Sequence, residues 1–353
     1  MSTNSQSKEK LQLDLYSLID LPDRRSDTVN QFSNSIVELD RAPRFMRGKN
    51  PPRALHAISQ KPTVVERPYV VSGQEFVCEI KPAIITRKSG DTSEEFFMYP
   101  GDKEELIERM IFLIGAKRGL VKRAMPDSPP RYGIEFSIYE IHKELAELKK
   151  TKAFSVIIES LEIIRDSRVV IYKYVDGKRK SINKNVFTTV YLETSGKGRG
   201  REKCFVALSD DTINQIHNLR YRQYSLTSVL SHTSALARFI HQYLHFAWAQ
   251  CYTGATFDLS TISIMTAFGK GDSDINVMRR DMRIALKSLV DKNIIESVPY
   301  ARNNIYTITA TKKLYQEIYQ SMQKKAGIEK LSDKIDAGEL LELPNAKHYH
   351  SLN

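Results

Sequence analysis

Residues Asp274–Val290, DINVMRRDMRIALKSLV, form the stretch that decides how this chain folds. Wound at 3.6 residues per turn, the stretch sorts into an apolar face and a basic face. The apolar face carries Met278, Met282, Ala285, Leu286 and Leu289, and the opposite face carries Asn276, Arg279, Arg280, Arg283 and Lys287. The pattern predicts a helix, capped by Ser273, that buries one side and offers the other to a negatively charged partner. For a helix taken alone, a basic face that only meets solvent is the alternative.

The segments on either side of this helix favour a nucleic-acid role. Ahead of it, Phe257–Gly269 predicts a short amphipathic helix capped by Ser260. Behind it, Ile294–Val298 and Ile305–Thr309 predict two strands that form a hairpin through a turn at Pro299–Asn304. Helix, turn, long helix and hairpin is the order of a helix-turn-helix with a wing, in which the long basic helix holds the recognition position.

Each polar residue of the basic face has a predicted contact with DNA. Asn276 and Arg280 lie near the N-terminal end of the helix, where side chains reach base edges. Arg283 and Lys287 lie further along, where phosphate contacts are expected. Two further DNA-binding candidates in this part of the chain are Arg279, on the helix, and Arg302, in the wing turn.

The charge balance of the whole chain raises the same expectation. Its 353 residues carry 53 Lys and Arg against 42 Asp and Glu, a formal net charge of +11. Ribosomal, membrane-surface and heparin-binding proteins share such a balance, so charge alone does not decide the partner. The length suits two or three domains with real cores.

Cysteine usage and apolar runs favour a cytoplasmic protein. Cys78, Cys204 and Cys251 are odd in number and too widely spaced for a disulfide framework or a zinc motif. No apolar run approaches the ~20 residues of a membrane span. The N-terminal sequence MSTNSQSKEK lacks the apolar core of a signal peptide.

The chain as a whole predicts an α+β fold, two winged-helix domains in tandem with a flexible N-terminal region. Residues 1–60 lack sustained periodicity and are expected to be flexible. Residues 61–220 predict the first winged helix, because three helical patterns precede a run of strands. Residues 221–325 predict the second winged helix, and residues 326–353 a tail of mixed polarity.

The third helix of the first winged helix differs in charge from the helix at Asp274–Val290. Predicted over Ala153–Ser167, it turns polar and acidic residues outward, namely Ser155, Glu159, Glu162 and Asp166. A helix that faces phosphates should not carry so many carboxylates. We therefore assign this helix to protein–protein packing.

Basic residues of the first winged helix lie instead in its hairpin region. Between Lys173 and Lys203, nine Lys or Arg stand against three acids. Glycines beside the second cluster let the backbone approach a phosphate closely, and two linker arginines are placed to follow the DNA backbone. The predicted phosphate contacts are Lys178, Arg179, Lys180, Lys197, Arg199, Arg201, Arg220 and Arg222. A solvated loop is the alternative for each cluster.

One apolar island lies within the expected N-terminal region. The sequence Gln12-Leu13-Asp14-Leu15-Tyr16 is a compact anchor for a shallow apolar pocket. It is similar to the bacterial sliding-clamp-binding motif of glutamine, leucine, serine or aspartate, leucine and phenylalanine, with Tyr16 in place of the final phenylalanine. The partner-binding candidates are Gln12, Leu13, Leu15 and Tyr16. A short helix that docks on its own protein is the alternative.

A family resemblance rests on residues between the two ends. Phe97–Gly101 (FMYPG), Glu104–Glu108 (EELIE) and Ile134–Glu140 (IEFSIYE), continuing into Ile157–Leu161, resemble plasmid-encoded replication initiator (Rep) proteins with a tandem winged-helix core. The resemblance covers roughly residues 75–310. Its motifs are moderately specific, because winged helices recur among transcription factors.

The resemblance implies a division of labour between the two domains. The second winged helix would read a repeated origin sequence (iteron) in the major groove, while the first joins protomers or touches the DNA backbone. Such proteins open a neighbouring A/T-rich segment and recruit the host initiator, helicase and sliding clamp. In the family, dimers repress and monomers initiate, which controls plasmid copy number. A bacterial cytoplasm follows from the same resemblance.

The sequence carries no persuasive catalytic constellation, metal site or cofactor motif, so we expect a protein that is not an enzyme. No GxxxxGK[ST] phosphate loop occurs. His241 and His245 lie four residues apart, but Gln242 replaces the glutamate of a zinc helix and no third ligand is evident, so one packed and one exposed histidine are expected. Two alternatives to an initiator are a winged-helix transcription regulator and a rolling-circle nicking enzyme, whose tyrosine needs a metal cluster.

Overall fold

Antiparallel strands and helices are interspersed along the chain, which makes the protein an α+β protein. The structure, a computed structural model, describes residues 32–35, 41–47, 54–56, 62–71, 74–89, 92–125, 128–176, 178–183, 187–192, 203–210, 212–213, 222–248 and 250–323. Two large groups of buried apolar residues divide this part of the chain, one formed mostly before residue 231 and the other after residue 235. We call these two parts the N-terminal unit and the C-terminal unit.

The N-terminal unit begins with strands and then mixes helices with strands. Its elements are β1 (Phe32–Ser35), β2 (Ala54–His56), β3 (Val65–Val71), β4 (Gln74–Lys81), β5 (Ala83–Ser89), β6 (Thr92–Met98), α1 (Asp102–Arg118), β7 (Val121–Met125), β8 (Ser128–Ser137), α2 (Ile138–Glu147), α3 (Phe154–Asp166), β9 (Arg168–Val175), β10 (Lys178–Asn183), β11 (Phe187–Tyr191), β12 (Lys203–Leu208) and β13 (Arg222–Ser225). Within the described residues, its larger sheets have the orders β10-β9-β4-β3, β11-β12-β8-β7 and β2-β6-β5.

Helix α1 lies at the centre of the N-terminal unit. Acidic residues occupy its first turn and basic residues its last turn, which suits the helix dipole. The carboxylate of Glu104 accepts a hydrogen bond of 2.7 Å from the backbone N–H of Gly101, which satisfies a donor at the start of the helix. Most of the helix is buried, with Met110, Ile111 and Leu113 fully covered by the sheets and by α3.

The C-terminal unit contains the basic helical stretch Asp274–Val290. Helix α4 (Leu226–Leu230) precedes this unit and packs into the N-terminal core. The elements of the C-terminal unit are α5 (Ala235–Ala247), β14 (Thr256–Ser260), α6 (Thr261–Phe268), α7 (Ile275–Asp291), β15 (Ile305–Thr309) and the helical residues 312–323. Strands β14 and β15 pair antiparallel. The core between α5, α7 and this strand pair holds Leu244, Met282, Leu286, Tyr306 and Ile308.

The short helix ahead of α7 is present, but it begins later than predicted. Ser260 caps it as expected, since its side chain accepts a hydrogen bond of 3.3 Å from the N–H of Ser263. Gly269, with a φ of 88°, ends it in the left-handed conformation that favours glycine. Residues 257–260, predicted as the first turn of the helix, belong to β14 instead, because this strand pairs along its whole length with β15.

The predicted hairpin between Ile294–Val298 and Ile305–Thr309 is therefore largely wrong. The first of these segments contributes a single bridge, from Ile295 to Ala310, with one further hydrogen bond from Glu296 N to Thr309 O of 3.1 Å. The main partner of β15 is β14, more than forty residues earlier in the chain. Thr307 Oγ1 lies 2.6 Å from Asp258 Oδ1 across this pair.

Part of the segment expected to be flexible belongs to the folded core. Residues 41–47 are buried apart from a half-buried Arg41, and Ala42 and Met46 pack into the N-terminal core. Strand β1 pairs with β13, and β2 pairs with β6. The expectation of flexibility is therefore wrong for residues 41–47, which we call the strap.

Side chains of the strap reach both units. Arg44 forms a two-pronged ion pair with Glu108 of α1, at 2.9 and 2.8 Å. Arg47 pairs with Glu105 of α1 at 2.6 Å, while its guanidinium lies 4.8 Å from the ring centroid of Phe268 in α6. The strap thus contacts the central helix of one unit and a helix of the other.

None of the helices in the described residues is long and apolar enough to cross a membrane.

Candidate nucleic-acid interface

Helix α7 separates its two faces as its sequence predicts. Met278, Met282, Ala285, Leu286 and Leu289 are all buried. Asn276, Arg280, Arg283 and Lys287 are all exposed. The helix therefore packs its apolar face against the core of the C-terminal unit and leaves a polar, basic face in contact with solvent.

The N-terminal end of α7 is capped one residue later than predicted. The side chain of Asp274 accepts a hydrogen bond of 2.8 Å from the N–H of Asn276, so Asp274 is the N-cap and Ser273 is not. Aspartate and serine are both good N-caps, and an aspartate adds a negative charge that suits the helix dipole. The cap holds Asn276 in the first turn, which is where residues of a recognition helix contact bases.

The acid within α7 is neutralised by its neighbours. Asp281 accepts a hydrogen bond of 2.9 Å from Lys270 and lies 3.4 Å from Arg280. Its side chain is largely covered, whereas that of Arg280 is 68% exposed. The basic face consequently keeps its positive charge although an aspartate interrupts it in the sequence.

Arg279 is held against the turn that follows α7, unlike the other basic residues of the helix. Its Nε donates a hydrogen bond of 2.8 Å to Oδ1 of Asn304, and its side chain is only half-exposed. The hydroxyl of Tyr306 lies 3.4 Å from its backbone oxygen. Arg279 thus joins the helix to the turn, and its predicted place in the exposed basic row is corrected to a bridging one.

The turn itself is a tight hairpin. Asn303 and Asn304 have φ values of 49° and 64°, and the backbone groups of Arg302 and Ile305 exchange hydrogen bonds of 3.0 and 2.8 Å. Two central residues with positive φ make a type I′ turn, for which asparagine is well suited. The side chain of Arg302 is exposed, as a DNA contact requires.

Two exposed apolar residues near the basic face were missed by the sequence reasoning. Tyr300, in the wing turn, is 85% exposed, and Ile284, on α7, is 57% exposed. Ile284 lies four residues after Arg280 and three before Lys287, so helical spacing already places it within the basic face. An apolar side chain there is suited to the methyl group of thymine.

The basic cluster of the N-terminal unit is only partly free. Lys178, Arg179 and Lys180 are exposed and lie on β10. Arg179 donates a hydrogen bond of 2.8 Å to Glu79 and stacks on Tyr172 at 3.8 Å, and its bond to Glu79 raises its pKa. The predicted phosphate contact of Arg179 is therefore corrected to a contact within its own sheet, while the two lysines remain candidates.

Helix α3 packs within its own chain on the side of its acids. Glu159 accepts hydrogen bonds of 3.2 and 3.1 Å from Arg87 of β5, and Ile163 packs with Ile85 and Met98. The β5–β6 hairpin thus occupies part of the surface that we assigned to protein–protein packing. Ser155 and Asp166 remain exposed.

Several predicted contacts lie outside the described residues. These are Lys197, Arg199, Arg201, Arg220 and the partner-binding candidates Gln12, Leu13, Leu15 and Tyr16, together with the predicted tail at 326–353. Of Arg222 only the backbone is described, in β13.

A cluster of histidines and one glutamate lies in the C-terminal unit. His241 and His245 are both fully buried, so the expectation of one exposed histidine is wrong. The buried carboxylate of Glu317 lies beside them and is a third potential metal ligand, which the sequence did not reveal. Helical spacing brings the two histidines together, but Glu317 is more than seventy residues away in the chain, beyond the reach of a local pattern.

Comparisons with known proteins give similarities of structure only. No family model and no curated protein matches the sequence. Among solved structures, a selenomethionine derivative of domains 2 and 3 of RctB has a TM-score of 0.47 at 9% identity, covering 77% of this chain and 95% of that one. A second structure of RctB domains 2-3 has a TM-score of 0.43 at 9% identity, covering 74% and 96%. The Pi initiator protein in complex with iteron DNA has a TM-score of 0.39 at 11% identity, covering 59% and 91%.

Proposed function

We propose that this chain is a sequence-specific double-stranded DNA-binding protein that initiates replication at a plasmid origin. Helix α7 enters the major groove of an origin repeat. The observation that carries the proposal is the exposure of Asn276, Arg280, Arg283 and Lys287 on one face of a helix whose opposite face is buried. A 17-residue helix is about 25 Å long, and the major groove admits a helix along its length.

The four side chains have different roles in this arrangement. Asn276 and Arg280 read base edges, because asparagine and arginine make two-pronged hydrogen bonds to adenine and guanine. Arg283 and Lys287 meet phosphates and set the register of the helix. Ile284 lies between the two pairs and contacts a thymine methyl group.

The wing turn makes a second contact with the same duplex. The exposed Arg302 and Tyr300 project from a turn that Arg279 ties to the recognition helix. A cation at this position neutralises a phosphate, and an aromatic ring packs on the sugar-phosphate backbone or in the minor groove. Two hydrogen bonds of Arg279, to the side chain of Asn304 at 2.8 Å and from the hydroxyl of Tyr306 at 3.4 Å, hold the turn beside the helix, so that both present their contacts to one duplex.

The partners of the proposed initiator follow from the Rep resemblance. The chain binds several origin repeats, opens an adjoining A/T-rich segment and recruits the host initiator and helicase. Gln12–Tyr16 binds the host sliding clamp, and the N-terminal unit supports a homodimer and touches the DNA backbone through Lys178 and Lys180. No catalytic step is part of this function. Deletion of Gln12–Tyr16 is expected to abolish replication while leaving origin binding unchanged.

A footprint on DNA that flanks the chain's own gene tests the proposal. Regularly spaced direct repeats support an initiator, whereas one palindrome supports the alternative of a winged-helix transcription regulator. A parallel incubation of supercoiled origin DNA with magnesium or manganese tests the other alternative, because strand cleavage would reveal a nicking enzyme. If no protected site occurs and binding is equal on all sequences, the proposal of sequence-specific reading is wrong.

A further inference from the structure

The cluster of His241, His245 and Glu317 joins two helical segments of the C-terminal unit. Both histidines lie on α5, four residues apart, and Glu317 lies on the helical residues 312–323. The side chains of the two histidines are 0% exposed and that of Glu317 is 6% exposed. Their potential ligand atoms all lie within 4.8 Å of one another. Burying an imidazole or a carboxylate without a partner costs free energy, so a buried group of three indicates that these side chains interact with one another or with a ligand.

The spacing of the three groups suits a tetrahedral metal ion. Glu317 Oε2 lies 3.0 Å from His241 Nε2 and 3.5 Å from His245 Nε2. Ligand atoms at about 2.0–2.1 Å from a zinc ion, at tetrahedral angles, lie about 3.3 Å apart. The two observed separations fall on either side of that value, and the three ligand atoms together lie within 4.8 Å, so binding an ion requires the side chains to draw closer around it.

His245 is the member of the cluster with the fewest hydrogen-bond partners. Its Nδ1 has no hydrogen-bond partner among the described residues, and its Nε2 has only the carboxylate of Glu317, at a long 3.5 Å. A buried imidazole without a partner costs free energy, and such groups are uncommon in folded proteins. A cation bound through Nε2 would give that nitrogen a strong partner, which is an independent reason to place a ligand at this point.

His241 is oriented by a second hydrogen-bonded layer. Its Nδ1 lies 3.1 Å from Nε2 of His232, and Nδ1 of His232 lies 2.9 Å from Oγ of Ser288. Histidines that bind metals are commonly held in this way through the other ring nitrogen, which fixes the ring and its tautomer. Ser288 belongs to α7, so the chain of contacts ends on the helix with the basic face.

The carboxylate of Glu317 divides its two oxygens between a lysine and the histidines. Lys313 lies 3.9 Å from Oε1 of Glu317, which leaves Oε2 facing the two histidines.

We propose that His241, His245 and Glu317 form a structural zinc site that fixes α5 to the helical residues 312–323. Two imidazoles and a carboxylate are a ligand set that zinc accepts, with water as the fourth ligand. Hydrolytic chemistry is not part of the proposal. Gln242, which follows His241, cannot act as a general base, and its Oε1 accepts a hydrogen bond of 2.6 Å from Arg109.

The test is a titration of the full chain, prepared without a histidine tag and stripped with a chelator. Co²⁺ is the first probe, because tetrahedral Co²⁺ absorbs visible light strongly, and Zn²⁺ is added to displace it. We expect one equivalent of Co²⁺ with tetrahedral absorption, full displacement by Zn²⁺ and a higher Tm with Zn²⁺ than with chelator. H245Q and E317Q should each lose more than about 100-fold in affinity, and H232Q about 10- to 100-fold, since His232 acts through His241.

His142 supplies the matched control. It is a half-buried histidine of the N-terminal unit whose Nδ1 lies 2.9 Å from the oxygen of Lys152, away from the cluster. H142Q should bind Co²⁺ like the wild type. The proposal is overturned if the wild type binds less than one equivalent or shows no tetrahedral absorption, and also if H245Q and E317Q bind as it does. The wild-type measurement decides even where a variant fails to fold.

Discussion

Arg280 is the residue on which sequence reading is expected to depend most. It lies in the second turn of α7 with a side chain that is 68% exposed. Arginine donates two hydrogen bonds to guanine in the major groove, so R280A should weaken cognate binding by about 1–3 kcal/mol and relax the sequence preference. Fluorescence anisotropy on the cognate duplex and on single-base variants measures both effects. K143A, which removes an exposed lysine of α2, should bind like the wild type.

Lys287 occupies the same face nearer the C-terminal end of α7, and a different result is expected from it. K287A should weaken binding to all duplexes by a similar factor and reduce the slope of log K against log salt by about one, because one phosphate contact is lost. The measurement is a salt series on cognate and unrelated DNA. A loss confined to the cognate sequence would show that Lys287 reads bases instead.

The exposed residues of α7 could be predicted because a helix repeats every 3.6 residues, and a residue's face follows from its position. The role of Arg279 could not. Its partner Asn304 is 25 residues away and reaches it only because β15 folds back beside α7. A helical pattern sets which side chains point outward, but a contact between distant segments needs the tertiary structure.

At the scale of elements, the start of α7 offers a direct test of the capping assignment. D274A should lower the free energy of unfolding by about 0.5–2 kcal/mol, because the N–H of Asn276 loses its acceptor. S273A removes the neighbouring residue that the sequence favoured, and it should change stability little. Urea unfolding followed by circular dichroism measures both variants. A larger effect of S273A than of D274A would contradict the structure.

The C-terminal unit shows which elements a sequence reveals. Helices α6 and α7 were predicted because their apolar periods and end signals are local. The partner of β15 was assigned to the wrong segment, since Ile294–Val298 is near in sequence and apolar, whereas β14 is short and lies ahead of both helices. When two paired strands are separated by two helices, neither strand's own sequence indicates its partner. Proximity in sequence therefore gave the wrong partner for β15.

At the scale of the whole molecule, the strap joins the two units through buried charges. Arg109 of α1 donates hydrogen bonds of 2.7 Å to Tyr224 and of 2.6 Å to Gln242 of α5, and it shares Glu105 with Arg47. Polar and basic composition suggested flexibility for this part of the N-terminal segment. Two of its arginines are nonetheless ordered, because each meets a carboxylate of α1 in the interior, a pairing that composition does not encode.

Glu105 is the carboxylate on which this junction depends, and its charge makes the junction sensitive to acid. Burial opposes ionisation, but Arg47, Arg109 and Arg238 together hold the pKa of Glu105 below its usual range. E105Q removes the carboxylate that pairs with buried Arg109 and leaves Arg47 with Asp102 alone, so the free energy of unfolding at pH 7 should fall by about 3–5 kcal/mol. E135Q, which removes a half-exposed partner of Lys203, should cost less than about 1 kcal/mol.

The pH dependence of stability gives this prediction its sharpest form. A carboxylate with a depressed pKa in the folded state stabilises the protein above its unfolded pKa of about 4.3, and this stabilisation is lost as pH falls below that value. In this range Glu105 takes up a proton in the unfolded chain but stays ionised in the folded protein. The wild type should therefore lose stability between about pH 5 and pH 3 more steeply than E105Q. Urea unfolding across this range measures the two slopes. Equal slopes would mean that Glu105 is not held ionised by the arginines of the strap and α1.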